Sequence, residues 1–384
     1  MRYFNYLSPE EEQAVFHKPP TSFNNASSRE ILSYAAGAAL YSPATRLTIA
    51  DDLVNRKYEG LVSMVFDLED AIGDHQVAEA EESLLKHIDS LASAIERGVL
   101  PQSHVPLLFI RVRNPDQLKR LIVRFAEQIV LITGFFFPKF SPQNGWEYFQ
   151  ILDEYNRQKS TDAPTLYGSP ILESADVIYV ERRAETLLGS KAILDHFPDY
   201  VLNVRVGATD FSSLFGVRRS VHHTIYEIAA IRDCLADILN VMGRAEDGYV
   251  ITGPVWEYFS TKQAETIAGD ERIACLARSY GLDPKTQAEY GLIREVLLDK
   301  ENGMVGKTII HPSHLKIVQS LFRVTHEEYL DALSILQNHD GYTGVIKSEY
   351  ANKMNEIKPH LSWAKRILAK ATVYGVLHEQ ENSN

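Results

Sequence analysis

Charged side chains follow several short apolar runs of this sequence, and their types suggest one kind of chemistry. Carboxylates and cations both occur at these positions without a His or Cys cluster, a ligand set that suits a hard divalent cation, Mg²⁺ or Mn²⁺. Such a cation polarises a carbonyl and stabilises a developing enolate, and a nearby guanidinium can bind a carboxylate. The candidate residues are Glu69, Asp70, Arg111, Lys139, Glu173, Arg205 and Asp210. Together they favour the making or breaking of a carbon–carbon bond beside a carbonyl.

Each candidate also has a purely structural interpretation. An acid just after a strand is often the N-cap of the next helix, which applies to Asp70, and Glu69 could simply pair with Lys139 or Arg205. Lys139 fits a site residue and a structural ion pair equally well. Capping does not account for acids after separate strands opposed by arginines, because unpaired charges in one shared mouth are costly. A divalent cation or an anionic substrate would satisfy both signs.

The order of apolar runs predicts how these residues come together. Helical composition follows each of the first seven runs, for example at residues 77–95, 115–128 and 220–242. Near-continuous apolar strands are typical of parallel sheets covered on both faces. The runs are 36–41, 61–68, 105–112, 132–139, 165–172, 200–207, 249–255 and 304–311. The alternation predicts an α/β fold, a (β/α)8 barrel, whose chemistry lies at the C-terminal ends of the strands.

Two segments lie outside the predicted barrel domain, which spans residues 36–318. The N-terminal extension, residues 1–35, contains a short helix for which Ser8 is the expected N-cap. Residues 319–384 form a C-terminal extension of helical composition. Inside the barrel, the dipeptide Asp283-Pro284 predicts the start of a helix.

Composition and charge exclude several classes of function. The 384 residues carry 39 Lys and Arg against 51 Asp and Glu, and the formal charge of −12 argues against nucleic acid or an anionic membrane as partner. The longest strongly apolar run, 129–138, is shorter than the roughly 20 residues that a membrane span needs. The acidic start does not resemble a secretory signal, so a cytoplasmic location is expected. Cys234 and Cys275 fit neither a disulfide framework nor a zinc motif and are expected to be buried thiols.

Eight motifs, in order along the chain, resemble the strand-end motifs of the HpcH/HpaI aldolase and citrate lyase beta-subunit family. The likeness covers residues 36–318. The motifs are LYSPATR at 40–46, VFDLEDAIGD at 65–74, FIRVRN at 109–114, GFFFPKF at 134–140, PILES at 170–174, VGATDFSSLFG at 206–216, TGPV at 252–255 and GKTIIHPSH at 306–314. Their order is specific for the family and not for a substrate.

The resemblance implies a role for each candidate residue. It implies a carbon–carbon lyase in which Glu173 and Asp210 hold Mg²⁺ or Mn²⁺ and Arg111 binds the oxygens of a small keto or hydroxy acid. Glu69 and Asp70 would be catalytic residues close to the metal. Further cations would contact the carboxylated substrate, namely Lys139, Arg205 and Arg46. A homo-oligomer, trimer or hexamer, is also implied.

The turn after the second run separates two branches of this family. The pyruvate-aldolase branch carries a His there, whereas this chain has Glu69-Asp70-Ala71, which favours the citrate lyase branch. Thr209 and the turn at 42–46 depart from that branch and argue against a coenzyme A thioester. The RVGATDFS and FGVRR segments resemble lyase-like proteins associated with tellurium-resistance and stress gene clusters. Two alternatives stay open, a class II pyruvate-type aldolase and a non-catalytic barrel that serves as a scaffold or ligand sensor in a stress response.

Overall fold

The computed structural model describes residues 1–260 and 270–379. The N-terminal segment contains helix α1 (Pro9–Val15), strand β1 (Phe16–Lys18) and helix α2 (Arg29–Ala35). The Ser8 hydroxyl accepts a hydrogen bond from the Glu11 N–H, and the Glu11 carboxylate accepts one from the Ser8 N–H at 2.8 Å. The cap predicted at Ser8 is therefore present, and it satisfies two N–H groups that the helix start leaves open.

Eight parallel strands form the barrel that the sequence predicts. They are β2 (Ala38–Pro43), β3 (Ser63–Asp67), β4 (Leu107–Arg111), β5 (Ile132–Phe137), β6 (Tyr167–Leu172), β7 (Val204–Val206), β8 (Ile251–Thr252) and β9 (Lys307–Ile309). Each strand pairs with the next along the chain, and β2 also pairs with β9. Gly253 forms a parallel bridge with Lys307, and the Val305 N–H donates to the Ile251 carbonyl at 2.8 Å. These contacts bring β8 to β9, and the (β/α)8 prediction is confirmed.

Helices cover the outside of these strands. They are α3 (Ile49–Val54), α4 (Val77–Glu96), α5 (Pro115–Phe125), α6 (Gly145–Gln158), α7 (Ala175–Ile178), α8 (Val180–His196), α9 (Ala208–Leu214), α10 (Ala229–Met242), α11 (Glu271–Ser279), α12 (Gln287–Glu301) and α13 (His314–Leu321). In α4, the buried residues Ala80, Leu84, Ile88 and Leu91 recur every three or four positions, which gives the helix one apolar face toward the core. In the part of the chain that the structure describes, no helix has both the length and the apolarity to cross a membrane.

The N-terminal and C-terminal segments meet outside the barrel. The C-terminal elements are α14 (His326–Gln337), β10 (Val345–Lys347), β11 (Met354–Glu356), α15 (Ile357–Tyr374) and β12 (Val376–Leu377). Strand β12 pairs with β1 in antiparallel fashion, and α14 and α15 bury a small core of their own that includes Ala332, Ile335 and Ile367. The helices predicted for the C-terminal extension are thus present, while residues 380–384 of it lie outside the described residues.

Two predicted helix starts are wrong. The helix expected at 220–242 begins only at Ala229, because the residues before it form a 3₁₀ turn in which the Thr224 N–H donates to Glu227. The start predicted at Asp283-Pro284 lies in a loop. Helix α12 instead begins at Gln287, with Thr286 as its N-cap. The Thr286 N–H donates to the Glu289 carboxylate, and the Glu289 N–H donates to the Thr286 hydroxyl. A complete capping box satisfies more N–H groups than an Asp-Pro dipeptide does.

The two cysteines differ in exposure. Cys234 is buried on α10, as expected, whereas Cys275 is exposed on α11, so that part of the prediction is wrong. Helix α11 buries Ala274 and Ala277, which are three residues apart and share one face. Cys275 falls outside that face.

Candidate active site

Arg111 is held at the barrel mouth by the last residue of the neighbouring strand. In the parallel register, Asp67 on β3 lies beside Arg111 on β4. The Arg111 Nε donates to Asp67 Oδ1 at 2.8 Å, and Nη2 donates to Oδ2 at 2.5 Å. The remaining nitrogen, Nη1, lies 3.0 Å from Glu69 Oε2 and 3.8 Å from Asp70 Oδ2. Asp67 therefore fixes the guanidinium plane and leaves Nη1 directed at the mouth.

A second cation, Lys139, joins the two acids that follow β3. Its ammonium group forms an ion pair with Glu69 Oε1 and lies 3.6 Å from Asp70 Oδ1. Glu69 is buried, and burial raises its pKa although Arg111 and Lys139 act in the opposite direction. Burial also acts to raise the pKa of Asp70, but its hydrogen bond with Glu69 and the two cations hold that pKa below its usual value. Asp70, with half of its side chain exposed, is thus the ionised carboxylate that solvent reaches.

Glu173 and Asp210 form a second acidic pair, which Lys139 and Arg111 do not neutralise. Glu173 follows β6 and is 3% exposed, and Asp210 lies in the first turn of α9. Burial, and next the charge of Asp210, raises the pKa of Glu173 to about 8. Burial, and next the charge of Asp70, raises the pKa of Asp210. Both acids are therefore held where their ionised forms are unfavourable.

The backbone around Glu173 is shaped to place its carboxylate. The Lys139 N–H donates to Glu173 Oε1 at 2.9 Å, and Lys139 itself has a φ of 49°, in the left-handed region that residues other than glycine rarely adopt. On the other side, a Cβ at position 207 would collide with Glu173 Oε2, so only Gly207 leaves room for it. Strain and close approach of this kind concentrate at functional sites.

The pair of Glu173 and Asp210 fits a hard divalent cation. Both supply oxygen donors, and a cation would remove the repulsion that raises their pKa values. Within residues 1–260 and 270–379, no three His, Cys, Asp or Glu side chains are arranged to enclose a metal ion. Mg²⁺ usually keeps several waters and takes only one or two protein carboxylates, so two acids are enough to hold it.

Arg205 lies deeper in the barrel than the other candidates. It pairs in register with Ile171, two residues before Glu173, so it sits one layer below the mouth. Its side chain is 1% exposed, and its guanidinium carbon is 4.6 Å from the centroid of the Phe136 ring. Among the described residues it makes no ion pair, which separates it from Arg111.

The structure does not bring Arg46 to this cluster. Its Nη2 lies 2.5 Å from Asp52 Oδ2 on α3, and its Nε donates to Thr48 Oγ1 at 3.2 Å. Lys57 pairs with the same carboxylate at 2.9 Å. Arg46 thus belongs to a separate rim cluster, and the substrate-binding role predicted for it gains no support.

Sequence reasoning missed two residues of the site. Asp67 carries the double hydrogen bond to Arg111, and the Tyr41 ring centroid lies 5.4 Å from the Arg111 guanidinium carbon and 6.0 Å from that of Arg205. A signal for Asp67 existed, because it stands two residues before Glu69 and alternate residues of a strand share a face. For Tyr41 the signal was weaker, a single phenol in an apolar run.

Comparison with known proteins agrees with this fold. The parallel barrel with acids at the C-terminal ends of its strands defines an α/β-barrel protein with an enzyme-like mouth. A family model described as the C–C bond lyase of the TIM-barrel fold matches residues 30–376. The chain belongs to this family. It is therefore a carbon–carbon bond lyase by family, as the sequence motifs predict.

Several solved structures are similar to this chain. A citrate lyase from Burkholderia xenovorans LB400 is 15% identical, with a TM-score of 0.58 over 90% of this chain and 94% of that chain. Protein CitE from Mycobacterium tuberculosis, solved with magnesium, acetoacetate and coenzyme A, is 16% identical, with a TM-score of 0.48 over 88% of this chain and 99% of that chain. No curated protein sequence matches the chain. At such identities the likeness shows the fold alone.

Proposed function

We propose that this protein is a Mg²⁺-dependent carbon–carbon lyase that acts on a small keto or hydroxy acid. The observation that carries the proposal is the pair of carboxylates, Glu173 and Asp210, beside the Arg111 guanidinium. Burial raises the pKa of both acids, so the ionised pair is unfavourable until a cation neutralises it. Mn²⁺ has the same preference for oxygen ligands and could replace Mg²⁺.

The substrate would bind between the acidic pair and Arg111. Glu173 and Asp210 would hold Mg²⁺, whose charge would favour an enolate as the carbon–carbon bond breaks. Arg111 Nη1, which Asp67 leaves directed at the mouth, donates to the substrate carboxylate or to the developing oxyanion. Because Asp67 already holds the guanidinium plane, little reorientation is needed when charge develops.

The neighbouring acids have different tasks in this proposal. Glu69 is buried between Arg111 and Lys139 and positions both cations. The Lys139 ammonium group, half exposed at the mouth, donates to a substrate carboxylate. Asp70 is accessible and ionised at neutral pH, so it is proposed to orient a water that accepts the hydroxyl proton.

The expected partner is a small carboxylated molecule. Thr209 and the turn at 42–46 depart from the motifs of the citrate lyase branch, which argues against a coenzyme A thioester as substrate. A cytoplasmic location and assembly as a trimer or hexamer belong to the proposal as well.

Proton exchange tests this function directly. In deuterated buffer with Mg²⁺, wild-type protein should exchange the methyl protons of pyruvate, followed by NMR, because the site stabilises the enolate. The Glu173→Gln and Asp210→Asn variants should lose exchange, whereas Glu181→Gln, an exposed acid on α8, should keep it. Wild-type exchange by both site variants would contradict the proposal. Cleavage of malyl-CoA or citryl-CoA at about 1 s⁻¹ or faster would overturn the argument against the thioester.

A further inference from the structure

Arg205 is a buried guanidinium with free donors inside the barrel. Its side chain is 1% exposed, and its Nη2 donates to Thr308 Oγ1 at 3.0 Å. Its other donors, Nε and Nη1, have no hydrogen-bond partner among the described residues. Buried donors are nearly always paired, so these two nitrogens call for a ligand.

No carboxylate among the described residues forms an ion pair with Arg205. At the mouth, Asp67, Glu69 and Asp70 pair with Arg111 or Lys139, and the groups packed on Arg205 are the rings of Phe136 and Tyr41, whose centroids lie 4.6 Å and 6.0 Å from its guanidinium carbon. Burial lowers the pKa of Arg205 although the Tyr41 hydroxyl acts in the opposite direction, and the charge of Arg111 lowers it further. A guanidinium without a counter-ion in the interior is costly, and an anion would relieve that cost.

Other unpaired polar groups lie on the same face of the sheet. Thr252 is the register partner of Arg205 on β8, is 1% exposed, and its Oγ1 has no hydrogen-bond partner. Asn203, two residues before Arg205 and fully buried, has neither amide atom paired. Alternate residues of a strand share a face, so these groups lie on the same face of the sheet as Arg205. Together they offer hydroxyl and amide donors beside the guanidinium.

We propose that Arg205 binds a second carboxylate of the substrate, so that the site binds a short diacid more tightly than a monoacid. This rests on the proposed function, because the first carboxylate is the one placed between the acidic pair and Arg111. The Tyr41 ring lies against both guanidiniums, which puts the two anion sites within one small molecule of each other. One carboxylate at the mouth and one a layer below fit a hydroxy or keto diacid.

Matched ligands that differ by one carboxylate test this inference. L-malate and L-lactate both carry a hydroxyl beside a carboxylate, and only malate has a second acid group. With Mg²⁺ present, calorimetry should show wild-type protein binding malate about tenfold or more tightly than lactate, the effect of one charge-assisted hydrogen bond. The Arg205→Met variant should bind both ligands equally, with lactate binding unchanged. The Arg232→Met variant, at an exposed arginine on α10, should keep the wild-type ratio.

Three results would overturn the inference. The first is a wild-type protein that binds malate no more tightly than lactate. This result requires no variant, and it contradicts the inference whether or not Mg²⁺ binds. The second is an unchanged malate-to-lactate ratio in Arg205→Met or, where that variant fails to fold by circular dichroism, in Arg205→Gln. The third is a thermal midpoint that chloride raises in the wild-type protein but not in the Arg205 variant, with malate unable to compete with chloride. The group bound at Arg205 would then be an inorganic ion and not a substrate carboxylate.

The same measurements keep this inference apart from the proposed function. Mg²⁺ binding without discrimination between malate and lactate refutes only the role of Arg205. Absence of Mg²⁺ binding refutes the proposed function, whereas discrimination that depends on Arg205 would still support an anion site inside the barrel.

Discussion

Among the described residues of this barrel, two clusters of buried charge differ in how their acids are paired. Behind β9, the Lys307 ammonium lies 2.9 Å from Glu295 Oε1 and 2.7 Å from Asp299 Oδ2. Arg219 pairs with Glu295 and with Glu257. We call these five residues the tie cluster. Each of them has a partner of opposite charge, and the cluster connects α12 to β9, the last strand.

The mouth cluster consists of the charged residues at the barrel mouth, Asp67, Glu69, Asp70, Arg111, Lys139, Glu173 and Asp210, and it is arranged differently. Asp67 and Glu69 pair with Arg111 and Lys139, whereas Glu173 and Asp210 have raised pKa values. One layer below, Arg205 forms no ion pair with any acid of the described residues. Paired charges hold elements together, whereas unpaired buried charges are tolerated where a ligand completes them. The contrast separates the functional part of the interior from the structural part.

The largest effect is expected in the tie cluster. Lys307→Met would leave Asp299 buried without a cation and leave Glu295 with Arg219 alone, so the free energy of unfolding should fall by about 3–5 kcal/mol. Urea denaturation measures this. The control is Lys316→Met, which breaks an exposed pair with Glu59 and should change stability by less than about 1 kcal/mol. A loss in Lys307→Met as small as in the control would mean that the tie cluster does not stabilise the fold.

A smaller effect, on binding rather than stability, is expected at Arg111. Lysine cannot reproduce the double hydrogen bond to Asp67 and still direct a donor at the mouth. We expect Arg111→Lys to weaken keto-acid binding by about 1.5–3 kcal/mol, measured calorimetrically with pyruvate, and to leave Mg²⁺ binding intact. Unchanged pyruvate affinity would remove Arg111 from the site.

The pH dependence of stability sharpens the comparison further. Without metal, the pKa of Glu173 is raised to about 8, so the folded protein keeps a proton that the unfolded chain releases at lower pH. Stability should therefore fall as pH rises between the usual glutamate pKa and 8, by about 1 kcal/mol from pH 6 to pH 7. Glu173→Gln should show a flatter profile over that window in urea denaturation. Identical profiles would contradict the unbalanced state of the mouth.

Most of the barrel was predictable because its signals are local. The apolar runs coincide with all eight strands, since a buried parallel strand needs few polar residues. The sequence did not predict the helix starts at Ala229 and Gln287. Residues just before each helix, such as the N-cap Thr286, form hydrogen bonds that set where the helix begins. Competition among several capping signals is settled by packing, which the sequence pattern does not display.

The site was predictable only in part. Residues following strands could be expected at the mouth, but their partners depended on register. Asp67 lies beside Arg111 because β3 and β4 pair residue by residue. Arg46 instead pairs with Asp52, which lies on the following helix. The depth of Arg205 follows from its pairing with Ile171. Such side-by-side relations are set by the closed barrel and not by spacing along one strand.

Calorimetric titration with Mg²⁺ tests most directly the central claim, that the unpaired acids of the mouth await a cation. Wild-type protein should bind one ion with modest affinity, because only Glu173 and Asp210 contact it directly and water completes its coordination. Glu173→Gln and Asp210→Asn should each lose binding while keeping the wild-type circular dichroism spectrum, and Glu181→Gln should bind as wild type does. Wild-type affinity in both site variants would contradict the account.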